Sequence, residues 1–279
     1  EVFTYARVEK ILVHGGRVRG VRMADGHEIE CGRVISDAGA INTFARLLPA
    51  EVAHGHGYDR LLAQVKPSMG HLGVYIGLQA TAAELSLPKT NYWIYPSNNS
   101  DAAVDRFLAD STQAFPVVYL SFPSAKDPDF ERRHPGKATI EIVAPVPYES
   151  FAPWAGKTWG KRGADYEALK QSYGERLLEH LYDKLPQVRG RVDHWEVSTP
   201  LSMQWFCGWQ RGELYGLEHD PVRMRQRWLR PRTRVPGLWL TGQDIMSCGV
   251  SGAMMGGLAC ATAVVGLRRM APLMTRIFG

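Results

Sequence analysis

The chain has few cysteines and no paired cysteine motif. None of its four cysteines has the C-x-x-C spacing of a zinc site or a redox dithiol. A disulfide-stabilised scaffold and a structural zinc site are therefore excluded as the basis of the fold. The four residues are Cys31, Cys207, Cys248 and Cys260.

Strong charge of one sign is also absent. The net charge is +5, and no basic run is interleaved with aromatic residues, so we predict no nucleic-acid partner. A mild positive surplus favours phosphorylated ligands or an anionic membrane surface. His54, His56 and Asp59 are of metal-ligand types, but they lie among glycines in a predicted loop, and we expect no metal site.

A dinucleotide-binding G-x-G-x-x-G turn is missing from the sequence. That turn normally holds a pyrophosphate between a strand and a helix. Its absence means that any dinucleotide bound by this chain also needs a phosphate-binding segment from elsewhere. It also leaves NAD(P)H, considered as an electron donor, without a supporting motif.

The one long uncharged run, residues 249–267, contains five glycines and is predicted to be a buried helix and not a membrane span. No signal peptide is visible, so we expect a cytoplasmic protein. Basic and apolar residues alternate in residues 268–278, which is compatible either with peripheral contact to a membrane or with a helix that closes the domain.

The most informative stretch present is the glycine-rich segment near the C-terminus. The apolar run Leu238–Leu240 leads into Thr241-Gly242-Gln243-Asp244, and a second glycine turn opens the uncharged helix. Such turns bring backbone N–H groups and a helix N-terminus close to a phosphate. Asp244 is better suited to accept hydrogen bonds from sugar or ribityl hydroxyls, because two anions repel. The predicted ligand-binding residues are Gly242, Asp244, Ser251, Gly252, Ala253 and Met254.

These residues resemble the C-terminal flavin-binding segment of the phytoene desaturase, carotenoid isomerase and retinol saturase group of FAD-dependent oxidoreductases. The sequence is most similar to that of retinol saturase in Leu240–Asp244, Cys248-Gly249 and Tyr215–Asp220. Near the N-terminus, Val8–Ile11 and Val34–Ala38 resemble the middle part of the same flavin domain.

The resemblance implies FAD as cofactor and a lipophilic polyene as substrate, which would be desaturated, saturated or isomerised at its carbon–carbon double bonds. Val8 would lie on the adenine side through its backbone, and the turn with Asp37 would complete the flavin patch. It also implies that an N-terminal flavin-binding segment or chain supplies the missing turn.

An α/β fold is expected, with a partial Rossmann-like FAD domain of the glutathione-reductase and amine-oxidase type and an inserted α+β substrate domain with a mixed sheet. We predict the FAD domain over residues 1–54 and 226–279, and the substrate domain over 55–225. An antiparallel meander over 7–35, a polar helical region over 40–66 and an amphipathic helix over 165–185 are predicted.

Aromatic and methionine side chains before the flavin segment predict an apolar substrate pocket. In this part of the chain, Leu201–Phe206 is predicted to be a strand. His219 is a candidate proton donor, and no other side chain suggests an acid or a base. The predicted pocket residues are Met203, Trp205, Phe206, Trp209 and Tyr215.

Two alternatives stay open at this point. One is an amine-oxidase-like flavoenzyme that acts on a polar substrate. The other is a catalytically silent fragment, or a partner subunit that needs a separate N-terminal chain. The sequence does not identify the polyene, the direction of the reaction or the electron donor.

Overall fold

The computed structural model describes residues 1–278, which form two compact units. One unit contains residues 1–68 and the segment from Tyr215 onward, and the other contains Met69–Leu214. The predicted FAD and substrate domains, with boundaries at 54/55 and 225/226, are assignments of function and stay predictions.

The first unit begins with the antiparallel meander expected from the sequence. Strands β1 (Val8–His14), β2 (Arg17–Met23) and β3 (Glu28–Glu30) pair in the order β1-β2-β3. Gly15 and Gly16 link the first two strands with φ of +60° and +72°. Both residues of such a two-residue turn need positive φ, which glycine adopts without strain.

A parallel strand pair in the same unit positions the glycine-rich segment. Strand β4 (Val34–Ser36) lies beside β10 (Leu238–Leu240), with Leu238 opposite Val34 and Leu240 opposite Ser36. The glycine turn follows directly from the end of β10. The pair therefore brings the two stretches that carried the sequence resemblance, more than 200 residues apart, next to each other.

The helices of the first unit are mostly short. The predicted helical region over 40–66 is divided into several pieces, and the helical turn before Pro49 ends at Leu47, as the proline predicts. The pieces are α1 (Ala40–Asn42), a π-helical turn (Thr43–Leu47), α2 (Ala50–Gly55) and α3 (Tyr58–Leu62); later in the chain come α9 (Pro221–Met224), α10 (Gly249–Val265) and α11 (Leu267–Phe278).

An aromatic stack stabilises the core of the first unit. The rings of Phe44 and Tyr58 are parallel within 10°, with centroids 3.7 Å apart, and Trp228 packs edge-on against both. Phe44 and Tyr58 are each only 1% exposed. This core ties the short helices to the meander and to β10.

The second unit is built on a five-stranded sheet with the order β6-β7-β8-β5-β9. All four strand pairings are antiparallel, so the prediction of a mixed sheet is wrong in this detail, while the combination of helices and sheets is confirmed. The strands are β5 (Gly70–Leu78), β6 (Tyr92–Ile94), β7 (Val118–Ser121), β8 (Ala138–Val146) and β9 (Val192–Ser198).

Helix α7 (Ala164–Lys184) covers one face of this sheet and confirms the predicted amphipathic helix. At Gly174 a Cβ atom would overlap the side chains of Trp195 and Val197, so glycine permits the helix to lie close to β9. The remaining helices of the unit are α4 (Ser100–Ala109), α5 (Pro123–Lys126), α6 (Phe130–Arg133) and α8 (Pro200–Cys207), with 3₁₀ turns at Tyr148–Ser150, Ala152–Trp154 and Pro186–Val188.

The predicted strand Leu201–Phe206 is wrong, because these residues form helix α8. Thr199 and Ser202 make a reciprocal capping box, and Pro200 occupies the first helical position. Both features begin helices, and here they outweigh the strand preference of the aromatic residues that follow.

None of the helices in residues 1–278 has the length and apolar character needed to cross a membrane.

Candidate functional site

The turn after β10 is built tightly around Gly242. The N–H of Thr241 donates to the Ser36 carbonyl at 3.0 Å and extends the β4–β10 pairing into the turn. Gly242 has φ of +85°, and a Cβ atom there would overlap the carboxylate of Asp37. Only glycine fits this position, so the structure places two predicted flavin-binding residues side by side.

Helix α10 packs on this turn with backbone against backbone. A Cβ on Gly256 would overlap the Gly242 carbonyl, and one on Gly252 would overlap the Ser247 carbonyl. A Cβ on Gly257 would have room, since its nearest neighbour would be the Thr241 hydroxyl at 3.9 Å. Two of the three glycines therefore permit the close approach of helix and turn.

The N-terminus of α10 is open. Cys248 is its N-cap residue, and the Cys248 side chain makes no capping hydrogen bond. The Gly249 N–H has only a long contact, 3.4 Å, to the side chain of Gln243. The first N–H groups of a helix carry partial positive charge and need acceptors, so an anion or a carbonyl oxygen would be stabilised at this point.

Asp244 is buried in the turn and binds two distant segments of backbone. One carboxylate oxygen accepts from the Ala40 N–H at 2.7 Å, and the other accepts from the Leu217 N–H at 2.9 Å. The side chain is 4% exposed. Hydroxyl groups of a ligand, the predicted partners of Asp244, would have to use the remaining lone pairs of these oxygens.

Arg223 lies beneath the same turn, and sequence reasoning missed it. Its guanidinium donates to the carbonyls of Gln243 and Asp244, both at 2.8 Å, and of Met246 at 2.9 Å. Arg223 is 4% exposed, and its Nε has no hydrogen-bond partner in the described structure. Burial lowers the pKa of Arg223, while the nearby carboxylate of Asp244 opposes this shift.

Asp37 faces the turn from the end of β4. Partial burial raises its pKa, and the negative charge of Asp244 raises it further. Two neighbouring carboxylates disfavour a phosphate at this spot. Hydroxyl groups, which donate hydrogen bonds, suit it better.

The other predicted flavin residues lie in the first unit and differ in their exposure. Ser251 and Met254 are exposed on α10, Ala253 is half-buried between them, and Gly252 is buried against Ser247. Val8 starts β1 and is half-buried. Their roles in flavin binding stay predictions.

The predicted substrate residues fall into both units. Met203, Trp205 and Phe206 lie on α8, and Trp209 follows that helix, whereas Tyr215 belongs to the first unit. Trp205 is 56% exposed and Phe206 is 69% exposed, so neither is a core residue.

An aromatic surface forms around these two side chains in the second unit. Trp159 stacks on Trp205 within 18°, with centroids 6.3 Å apart, and meets Phe206 edge-on at 4.8 Å. The guanidinium of the buried Arg162 lies over the Trp159 ring at 5.2 Å. The three rings together present an apolar aromatic surface of the kind that binds extended hydrocarbon groups.

His219 is poorly placed for proton transfer in this conformation. Its Nε2 is buried and has no hydrogen-bond partner in the described structure. Burial lowers its pKa, and the positive charge of Arg223 lowers it further. Both effects favour the neutral imidazole, and its role as proton donor stays a prediction.

Comparison with known proteins identifies relatives of the whole chain. It is 37% identical over 275 residues to human all-trans-retinol 13,14-reductase, covering 95% of this chain and 45% of that protein. It is 26% identical over 273 residues to the lycopene-forming phytoene desaturase of Pseudescherichia vulneris, covering 95% of this chain and 51% of that protein. The chain thus spans about half the length of these curated relatives. No family model matches it.

A solved structure shares the fold. An oxidoreductase from Methanosarcina mazei superposes with a TM-score of 0.53 at 17% sequence identity, covering 89% of this chain and 47% of that chain. At this identity the likeness concerns the fold alone.

Proposed function

Because the chain matches the retinol saturase and phytoene desaturase family over 95% of its length, we propose that it serves an FAD-dependent oxidoreductase acting on carbon–carbon double bonds of a polyene. Desaturation, saturation and isomerisation are the reactions considered. The family implies a flavin cofactor, and FAD is the form proposed here.

The single observation that carries this proposal is the turn at Gly242 beneath the open N-terminus of α10. Glycines hold backbone against backbone there, the Cys248 side chain makes no capping hydrogen bond, and the Gly249 N–H has only the long contact to Gln243. Free N–H groups at a helix N-terminus suit the carbonyl oxygens of a flavin ring or a pyrophosphate. The β4–β10 pair supports a Rossmann-like sheet of the glutathione-reductase and amine-oxidase type, because parallel strands occur mostly in larger covered sheets.

The groups proposed to bind the flavin differ in charge and would contact different parts of it. The α10 N–H groups would hold electron-rich oxygens, while Asp37 and Asp244 would accept hydrogen bonds from ribityl or ribose hydroxyls. Val8 would contact the adenine side through its backbone. When bound, the flavin supplies the hydride chemistry. The protein excludes water and orients the polyene.

The polyene is proposed to lie on the exposed aromatic surface formed by Trp159, Trp205 and Phe206. A conjugated hydrocarbon is flat and apolar, so it gains from contact with ring faces. Met203 and Trp209 of the same unit stay candidates for contact with the polyene, and Tyr215 of the first unit stays a predicted substrate residue. Retinol and phytoene appear in the names of the relatives, and we take retinoid-like and carotenoid-like polyenes as the substrate class.

The missing G-x-G-x-x-G turn would come from an N-terminal flavin-binding segment or a separate chain. NAD(P)H as electron donor has no supporting motif. Peripheral contact with a membrane would give access to a lipophilic substrate.

The amine-oxidase-like alternative has no specific observation in its favour, and the silent-subunit alternative is decided by the assay that follows.

A turnover assay tests this function. The purified protein at its full natural length is supplied with FAD and, in parallel, with all-trans-retinol or phytoene, with and without an added reductant, and the products are separated by chromatography. A polyene product with one double bond more, one fewer or a changed configuration supports the proposal. No flavin-dependent conversion of either polyene contradicts it.

A further inference from the structure

We propose that Arg223 is a positioning residue for the flavin site, because its guanidinium binds three carbonyls of the turn that joins β10 to α10. This inference rests on the proposed function. It concerns a residue that does not itself contact the reacting atoms.

The contacts of Arg223 concentrate on one short segment. Two guanidinium nitrogens reach the carbonyls of Gln243, Asp244 and Met246, all within 2.9 Å. These carbonyls belong to the 3₁₀ turn Gln243–Ile245 and to Met246 after it, and Ser247 separates them from Cys248, the N-cap of α10. A planar guanidinium with donors in fixed directions can hold several carbonyls at once, which a lysine ammonium does less well.

Arg223 is itself held in place. The Asp220 carboxylate accepts from the Arg223 backbone N–H at 2.6 Å and caps α9. Met224 Sδ lies 3.2 Å from one guanidinium nitrogen. The side chain is therefore anchored at its backbone and satisfied at its tip, apart from the buried Nε.

Asp244 completes the arrangement from the opposite direction. Arg223 binds the backbone carbonyl of Asp244, while the Asp244 side chain binds the N–H groups of Ala40 and Leu217. One residue is thus held by its backbone and by its carboxylate at the same time. We infer that Arg223 fixes the path from Gly242 to Gly249, and with it the direction of the free N–H groups of α10.

The test compares R223M and R223K with a matched control, R225M. Arg225 directly follows α9 and is exposed, and its side-chain Nε donates to the Pro221 carbonyl of that helix. The proteins are used at full natural length. Two quantities are measured: amide hydrogen exchange of residues 240–249 in the flavin-free protein, and the dissociation constant for FAD from quenching of flavin fluorescence.

The expected result is faster exchange at residues 240–249 and FAD affinity reduced at least tenfold in R223M, a smaller loss in R223K, and no change in R225M. Unchanged exchange and affinity in R223M would overturn the inference. If R223M does not fold, R223K decides, because it keeps the charge and loses the planar donor geometry. Wild-type protein that binds no FAD would instead contradict the proposed function, while the exchange measurement would still report on the turn.

Discussion

The carboxylate of Asp244 accepts a 2.7 Å hydrogen bond from the backbone N–H of Ala40, 204 residues earlier in the chain. Ala40 opens α1, the element that follows β4, and Asp244 lies in the turn that follows β10. The bond therefore joins the ends of two neighbouring parallel strands. It fixes the Gly242 turn relative to the turn that carries Asp37.

Replacing Asp244 with Asn should destabilise the protein. The amide keeps one acceptor oxygen, but its NH₂ group would face one of the two buried N–H donors. Loss of a buried charge-assisted bond and an unsatisfied donor together cost about 2–4 kcal/mol. Urea unfolding measures the loss. A D244N protein as stable as the wild type would show that these two bonds contribute little.

Replacing Asp37 with Asn should change how stability depends on pH. The folded-state pKa of Asp37 is raised above its ordinary 3.8, so its stabilising contribution is complete below that value and is lost as pH rises through the raised pKa. Above pH 4, D37N should therefore gain in melting temperature relative to the wild type. Melting curves from pH 3.5 to 7 check this, and a gap between the two proteins that stays constant with pH would refute it.

Alanine substitutions along α10 should distinguish glycines that are needed for close packing from a glycine that only lowers helix propensity. In G252A and G256A the new Cβ would overlap the carbonyls of Ser247 and Gly242, so we expect a loss of about 1–3 kcal/mol. G257A has room for the methyl group and should be neutral or gain up to about 1 kcal/mol from helix propensity. Denaturant midpoints of the three variants measure this order, and equal effects would contradict the packing account.

Removing the aromatic surface should weaken binding of the polyene substrate more than it lowers the melting temperature of the protein. Trp205 and Phe206 are exposed, so the double variant W205A/F206A should keep its melting temperature within a few degrees but should raise KM for the polyene several-fold. Tyr95, which is 53% exposed, offers a control in Y95A. A normal KM in W205A/F206A would remove this surface from the substrate site.

Local patterns in the sequence were enough to predict some of the regular elements. The 3.6-residue spacing of apolar residues predicts α7, and the glycine pairs and alternating residues predict the β1–β3 meander. Helix α8 was missed, although Thr199, Pro200 and Ser202 carry its start signal, because the aromatic residues after them also favour strands.

Long-range contacts could not be predicted in this way. Arg223 stands in a segment with several arginines, and no local pattern distinguishes it from exposed Arg225. Its role depends on the carbonyls of Gln243 to Met246, which are brought to it by tertiary structure. The carboxylate of Asp244 was predicted to be functional, but its bonds to Ala40 and Leu217 likewise required the fold.

An absorbance spectrum tests directly whether the Gly242 turn and the α10 N-terminus hold the flavin. The protein is incubated with FAD and desalted, and the spectrum is taken between roughly 350 and 500 nm, where oxidised flavin absorbs. It is made on the wild-type protein at full natural length and on G252A, with G257A as control. A flavin spectrum retained by the wild type and G257A, and lost or strongly reduced in G252A, is the predicted result. A wild type without retained flavin, or a G252A protein that retains it fully, would contradict the assignment of the flavin site to the Gly242 turn and the α10 N-terminus.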